Sequence, residues 1–539
     1  MDSKTVNESE DHVPGDEPAK SLPVRDNWAS RLIQNMRWRA YWRFPNSVLP
    51  PDGNDKNYYE QRDQEDNETS RVPEDEELRL RLVWGVELFG PAEAEGLCDQ
   101  LRRLNWAAGF GRSVDDRAVN WVRHQRAYGG AGAWYNIGLV AAQGDRKRFL
   151  GGDNYASMPE CVDYLLVRIY QLTPSLTCVL IGFVLKGCIE QNYETELNQD
   201  RKTRRERLET KTGISIIDPQ RLKQRSIEKV RTRVRAIAHT WFSENLPGFF
   251  CNLGSERMPT AEFVTTKNTH LLPNTDDQKI KARLGWRNLV ANSLGHDVWT
   301  SPACASLRFL TRNGEWRKET PNFVVALCTS EVSEVTLKHW GGHTRQAYVQ
   351  YCHEHIGGIL SNYAAIEFLR AASTDLKNSR AALAIKSTSR RKAVRMIEQI
   401  QDFFDRSLGT PAIVSELLER SKHLHYFKHD CESFFSPGWR KDDEQREFGT
   451  ILCKQTGFFA GQIINEERSV REHFEQLSTV ISVRESVRAQ KRMEWLTIIA
   501  VAIATASLLV ALPPTKDWSD ASKTLLHGLQ DYFQKTGSD

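Results

Sequence analysis

The sequence predicts an α+β cytoplasmic body followed by a mostly helical C-terminal region, in which a long stalk helix leads into one transmembrane helix. Three observations predict it. Strand-like and helix-like segments are mixed between residues 78 and 345. From residue 346 onward the pattern turns mostly helical. An uncharged run of 18 residues, Trp495 to Leu512, then follows a charged stretch with no helix breaker.

Composition sets the frame. The chain has 539 residues, 40% of them hydrophobic and 27% charged, the balance of a folded protein with room for about three domains. The net charge of +3 hides an asymmetry. The first 77 residues hold 10 basic and 18 acidic side chains, leaving 63 basic and 52 acidic for the rest. An acidic head on a basic body suits self-masking, an anionic partner or a solvated tail. Ten cysteines occur without a single C-x-x-C pair. That argues against a zinc ribbon, a redox dithiol or a secreted disulfide scaffold, and fits reduced thiols. The polar, acidic start of the chain lacks the pattern of a cleaved signal peptide.

Residues 1–77 read as a disordered acidic region. Within it the segment 27–47 places Trp28, Trp38, Trp42 and Phe44 among arginines, at a spacing that fits a short amphipathic helix. An α+β domain is expected over 78–190. LRLRLVWGVELFG reads as a strand, and Pro91 suits the first turn of the helix after it. Further strands are expected near Trp134–Val140, Tyr164–Leu172 and Leu176–Leu185. The last is nearly all apolar, as a strand buried on both faces should be. A mixed helix and strand domain follows over 191–345. It opens with a helical, basic tract in which Arg201–Arg235 holds 13 basic and 4 acidic residues. Asp218 is placed to cap a helix whose first position is Pro219. Asn322–Cys328 is the clearest strand.

A helical domain and stalk is expected over 346–494, with helical stretches at 391–434 and 446–494 parted by the Pro437-Gly438 turn. No Gly or Pro occurs from Glu466 to Leu512, which allows one helix roughly 70 Å long. Val470, Phe474, Leu477, Val480, Val483 and Val487 form a narrow seam, suited to packing within the chain or to a homo-oligomer through the stalk. The transmembrane expectation rests on 495–512, about 27 Å of helix, beginning Trp495-Leu496-Thr497 and ending at Leu512. Arg484, Arg488, Lys491 and Arg492 precede it, which would hold the body in the cytoplasm; Trp495 and Trp518 sit where interfacial aromatics would. The bilayer is therefore an expected partner and a single-pass membrane location is expected. A short tail, 513–539, places Leu525, Leu526, Leu529, Tyr532 and Phe533 on one helix side.

The join SVRESVRAQKRMEWLTIIAVAIA resembles the CorA family of divalent-cation channels, with Leu496-Thr497-Ile498-Ile499-Ala500 as the nearest match. The likeness spans about 60 residues. It implies a cytoplasmic α/β domain feeding a stalk helix that enters the membrane. The family's Gly-Met-Asn signature is replaced by Pro513-Pro514-Thr515, and no second apolar helix follows, so no functional residue is carried over.

Local chemistry is sparse. His339, His343, His353 and His355 cluster with Cys352 and Glu354, and a second group gathers His423, His425, His429, Asp430 and Cys431. Imidazole and thiolate are zinc ligands, so His353, His355, His425 and His429 are weak metal candidates beside ordinary core and surface roles. Neither group has the H-E-x-x-H spacing. Gly129, Gly130 and Gly132 read as a flexible hairpin or, in the alternative, an anion-holding loop without a Walker motif. The basic tract suits nucleic acid, anionic lipid or a solvated helix face. No cofactor motif and no catalytic motif stands out. The expected roles are a membrane-anchored body that senses a ligand or binds a partner, a CorA-like oligomeric channel, or a tethered enzyme or nucleic-acid effector.

Overall fold

The computed structural model describes residues 28–43, 55–106, 116–129, 132–144, 154–207, 214–254, 257–272, 285–291, 297–311, 322–384, 410–431, 433–437 and 444–511, with isolated positions in 523–530. Of the region expected to be disordered, 1–77, residues 1–27 and 44–54 lie outside these residues, as does the one-sided apolar face of the tail, while helices occupy Trp28–Arg43 and Asp55–Ser70.

Thirteen strands are described. They are β1 (Arg79–Phe89), β2 (Ala133–Ala142), β3 (Tyr155–Ala156), β4 (Val162–Thr173), β5 (Leu176–Leu185), β6 (Arg204–Arg207), β7 (Ile214–Ile217), β8 (Thr260–Thr266), β9 (Val298–Thr300), β10 (Leu307–Thr311), β11 (Asn322–Cys328), β12 (Phe435–Ser436) and β13 (Arg446–Glu447). The helices are α1 (Trp28–Arg43), α2 (Asp55–Ser70), α3 (Ala94–Arg103), α4 (Arg117–Tyr128), α5 (Gly187–Glu190), α6 (Asn192–Asn198), α7 (Pro219–Asn245), α8 (Phe249–Leu253), α9 (Trp286–Ala291), α10 (Glu334–Lys338), α11 (Arg345–Ala384), α12 (Thr410–Arg420), α13 (Leu424–Asp430) and α14 (Phe448–Ala511).

Eleven strands form one sheet in the order β13-β12-β9-β10-β11-β8-β1-β5-β4-β2-β3; β6 and β7 pair separately. Neighbours are antiparallel except β8 with β11 and β2 with β3. β8 is the middle strand, β1 and β5 follow it, and every residue of β5 is buried. A strand sends alternate side chains to opposite faces, and two glycines show what covers each face. A Cβ on Gly85 of β1 would meet Ala238 and Phe242 of α7. A Cβ on Gly182 of β5 would meet Leu82, Trp84 and the imidazole of His353 on α11. The sheet is thus a middle layer between helices.

The α7 face is pinned by a buried ion pair. Arg231 donates to Glu262 on β8 through Nε at 2.7 Å and Nη2 at 2.6 Å, and Nη2 also reaches the Val290 carbonyl at 2.7 Å. Tyr193 Oη donates to the same carboxylate at 2.9 Å. All three side chains are buried. Asp218 caps α7 as expected, accepting from the Arg221 N–H at 2.7 Å, with Pro219 opening the helix. The basic tract is not one helix: Arg204–Arg207 and Ile214–Ile217 are strands.

The chain divides into two compact units. The first comprises residues 1–89, 93–364 and 424–452 and holds the sheet; the second comprises 90–92, 365–423 and 453–539. In the second, Arg370 stacks on Phe459 at 5.2 Å, Lys377 lies 3.6 Å from Glu466, and the Cys453 thiol donates to the Ser421 carbonyl at 3.0 Å.

Two expectations of the fold class are corrected. The sheet is mixed, eleven-stranded and sits between helices, where a smaller α+β domain over 78–190 was expected; short-range patterning does not reveal that β8 and β11 pair in parallel across a long excursion. The transmembrane helix is also overturned. Among the described residues no helix is long and apolar enough to cross a membrane. Leu512 and Trp518 lie outside the described residues. The expected single-pass location and CorA-like membrane character lose their support with it.

Candidate ligand-binding site

A cavity of about 510 Å³ opens beside the β3 edge of the sheet, lined by Arg103, Leu104, Asn105, Gln143, Gly144, Tyr155, Ala156, Ser157 and Asn245. Its size falls within the range of small-molecule pockets, about 300–1,000 Å³.

The sequence stops α3 where the cavity begins. Leu97, Cys98 and Leu101 bury one face of that helix. Asn105 then takes a left-handed conformation, φ 58°. Its N–H bonds the Arg102 carbonyl at 2.9 Å, and the Trp106 N–H bonds the Leu101 carbonyl at 2.8 Å. This paired closure satisfies the last carbonyls of a helix, and Asn tolerates the required backbone better than most residues. The turn leaves Arg103 and Asn105 on the rim and sends Trp106 inward.

Trp106 stacks on Trp241 of α7, ring centroids 5.7 Å apart and 11° from parallel. The Trp106 indole N–H donates to the Tyr155 carbonyl at 3.3 Å, and that of Trp241 to the Ser157 carbonyl at 3.0 Å. The intervening residue, Ala156, pairs with Ala142 of β2, and the Ala141 N–H donates to the neighbouring Asn154 carbonyl at 3.0 Å. The Tyr155 carbonyl of β3 and the Ser157 carbonyl just after it are therefore closed by two indoles. An open sheet edge invites another strand; here it is blunted and becomes a fixed wall. Arg103 Nη2 donates to the Asn245 carbonyl at 3.0 Å, and the Asn245 amide donates to the Trp241 carbonyl at 2.9 Å, joining the ends of α3 and α7.

The lining offers one guanidinium, three carboxamides, a phenol and a hydroxyl. Among its described residues there is no acidic side chain, no thiol and no imidazole, so they present hydrogen-bonding groups without a nucleophile and base pair.

The histidines singled out by the sequence lie elsewhere. His353 is buried on α11, where its Nδ1 accepts from the Trp84 indole at 3.0 Å. Burial, with the nearby Arg168 charge, holds its pKa well below the usual imidazole value. His355 packs on the Tyr351 ring at 4.5 Å, and His425 on Tyr426 at 4.1 Å. His429 is exposed, 3.6 Å from the Asp430 carboxylate. Among the described residues no three His, Cys, Asp or Glu side chains are grouped to hold a metal ion. Gly129 ends α4 in a left-handed turn, φ 74°, and Gly132 leads into β2. In the basic tract, Arg225 pairs with Glu206 at 2.9 Å, Arg201 with Glu196 at 2.7 Å, and Lys223 donates to Ser70 at 2.8 Å. Of the expected membrane residues, Trp495 and Leu496 are exposed at 64% and 61%, and Thr497 bonds the Met493 carbonyl at 2.8 Å.

Comparison with protein-family models, curated proteins and solved structures returns no match. Sequence reasoning did not find the cavity, because four separated segments build it. The one readable signal was Asn105, a helix-stopping residue after LRRL.

Proposed function

We propose that the sheet-bearing unit is a binding module that takes a small polar molecule in the β3-edge cavity, without chemistry on it. The observation that carries this reading is the lining: about 510 Å³ bounded by Arg103, Asn105, Gln143, Tyr155, Ser157 and Asn245, with no catalytic pair among them. Walls held by indole hydrogen bonds favour binding, because preorganised groups lose little freedom when a ligand arrives. The test is ligand-observed NMR of the full chain against a panel of sugars, sugar phosphates, carboxylates and amino acids. Saturation transfer to at least one member, lost in Ser157→Trp, supports the reading. Transfer to none, or transfer indifferent to Ser157→Trp, overturns it.

A second reading concerns the other unit. Trp495, Leu496, Ile499, Val501, Ile503 and Leu508 of α14 are all exposed. Contiguous apolar surface of this kind favours self-association. Light scattering should then give a multiple of the 61.8 kDa chain mass. Val501→Glu with Ile503→Glu should return it to a monomer; a monomeric parent chain would contradict this reading.

A further inference from the structure

We infer that the ligand of this cavity is a neutral, hydroxyl-rich molecule of the monosaccharide or small polyol class, an inference that rests on the binding reading above. Charge decides the class. Among the described residues of the lining Arg103 is the only charged one, and alone it would mark the site for an anion. But two helices end here: α3 at Arg103 and α7 at Asn245. Each helix C-terminus carries roughly half a negative charge. Together they offset about one positive charge, and the Arg103 bond to the Asn245 carbonyl places that charge directly on one of the two ends. The described part of the lining is left close to electroneutral.

What remains is hydrogen-bonding capacity of both signs. The carboxamides of Asn105, Gln143 and Asn245 each carry donors and an acceptor, and the Tyr155 and Ser157 hydroxyls do both. Hydroxyl groups also donate and accept, so a polyol can satisfy such a set where an anion, which only accepts, cannot. The Tyr155 ring adds an apolar surface for the C–H face of a sugar ring. A site built to bond hydroxyls rejects analogues that lack them, because its own polar groups are then left unpaired.

Isothermal titration of the full chain with matched pairs tests this: glucose with glucose 6-phosphate, ribose with ribose 5-phosphate, and each sugar with a deoxy analogue. At least one neutral sugar should bind, its phosphate at least tenfold more weakly, and a deoxy analogue about tenfold more weakly. Gln143→Leu, an exposed position whose replacement should leave the melting temperature unchanged, should weaken the sugar about tenfold. A phosphate ester that binds more tightly than its sugar, with the advantage lost in Arg103→Gln, overturns the class while the binding reading stands. Equal affinity for a sugar and all its deoxy analogues also overturns it. No binding by any of these, with transfer to another member of the NMR panel, rejects the polyol class alone; no binding by anything rejects both.

Discussion

The Arg103 guanidinium donates to the backbone carbonyl of Asn245 at 3.0 Å and so ties the last turn of α3 to the last turn of α7. Sequence separates the two residues by more than a hundred positions, yet their bond shapes one side of the cavity. Arg103→Ala removes it and exposes an unpaired helix carbonyl. Such a bond contributes about 0.5–1.5 kcal/mol, so urea denaturation should show a loss of that size. Sugar binding should weaken more than stability does, because the wall formed by Asn245 loosens.

Arg231 and Glu262 set a larger effect. Both are buried, and removing one charge strands the other away from water. Arg231→Met should cost about 3–5 kcal/mol. Arg231→Met combined with Glu262→Gln should recover part of that loss, since no lone carboxylate then remains. A melting series of the parent, two single variants and the double variant reads this directly.

Glu87 predicts a pH dependence. Its buried carboxylate accepts the N–H groups of Leu88, Phe250 and Cys251 at 2.9, 2.6 and 2.9 Å, holding α8 to β1. Burial outweighs these bonds and raises its pKa from 4.5 to about 7. The folded state therefore holds a proton that the unfolded state has released between those values. This contribution is fully present below about pH 4.5 and is lost as pH rises through about 7, a fall on the order of 3 kcal/mol. Glu87→Gln should flatten that slope in denaturation measured from pH 4.5 to 7.5. The neighbouring Cys251 thiol, pushed up to about 12, does not titrate in this window.

Gly182 guards the Trp84–His353 bond. A Cβ there would lie 2.9 Å from Leu82 Cδ1, 3.3 Å from the Trp84 indole nitrogen and 3.4 Å from His353 Nδ1. Gly182→Ala should destabilise the fold by about 1–3 kcal/mol through overpacking. Tryptophan fluorescence should shift as the Trp84 hydrogen bond loosens. An unchanged melting temperature and spectrum would contradict the tight packing of α11 on the sheet.

Local signals were legible where the chain's own neighbours decide the outcome. The nearly all-apolar Leu176–Leu185 segment is β5, buried throughout, and the Asp218-Pro219 start of α7 is where the capping pattern placed it. Long-range pairing was not legible. Nothing in Thr260–Thr266 announces that it lies parallel to Asn322–Cys328, and that pairing makes the sheet mixed. The 495–512 run shows the opposite failure: hydropathy and flanking charge pointed to a bilayer, but among the described residues no helix is long and apolar enough to cross one. His353 misled because spacing cannot show burial, and its imidazole is a strut for Trp84. The cavity was hidden because Arg103, Gln143, Tyr155 and Asn245 meet only after folding.

Amide hydrogen exchange of the full chain, with and without a saturating neutral sugar identified by titration, tests the binding site most directly. Protection is expected in the peptides carrying residues 103–105, 143–144, 155–157 and 245, and it should vanish in Ser157→Trp. Saturated binding that leaves those peptides unprotected, or protects only peptides far from the β3 edge, would contradict the assignment of this cavity.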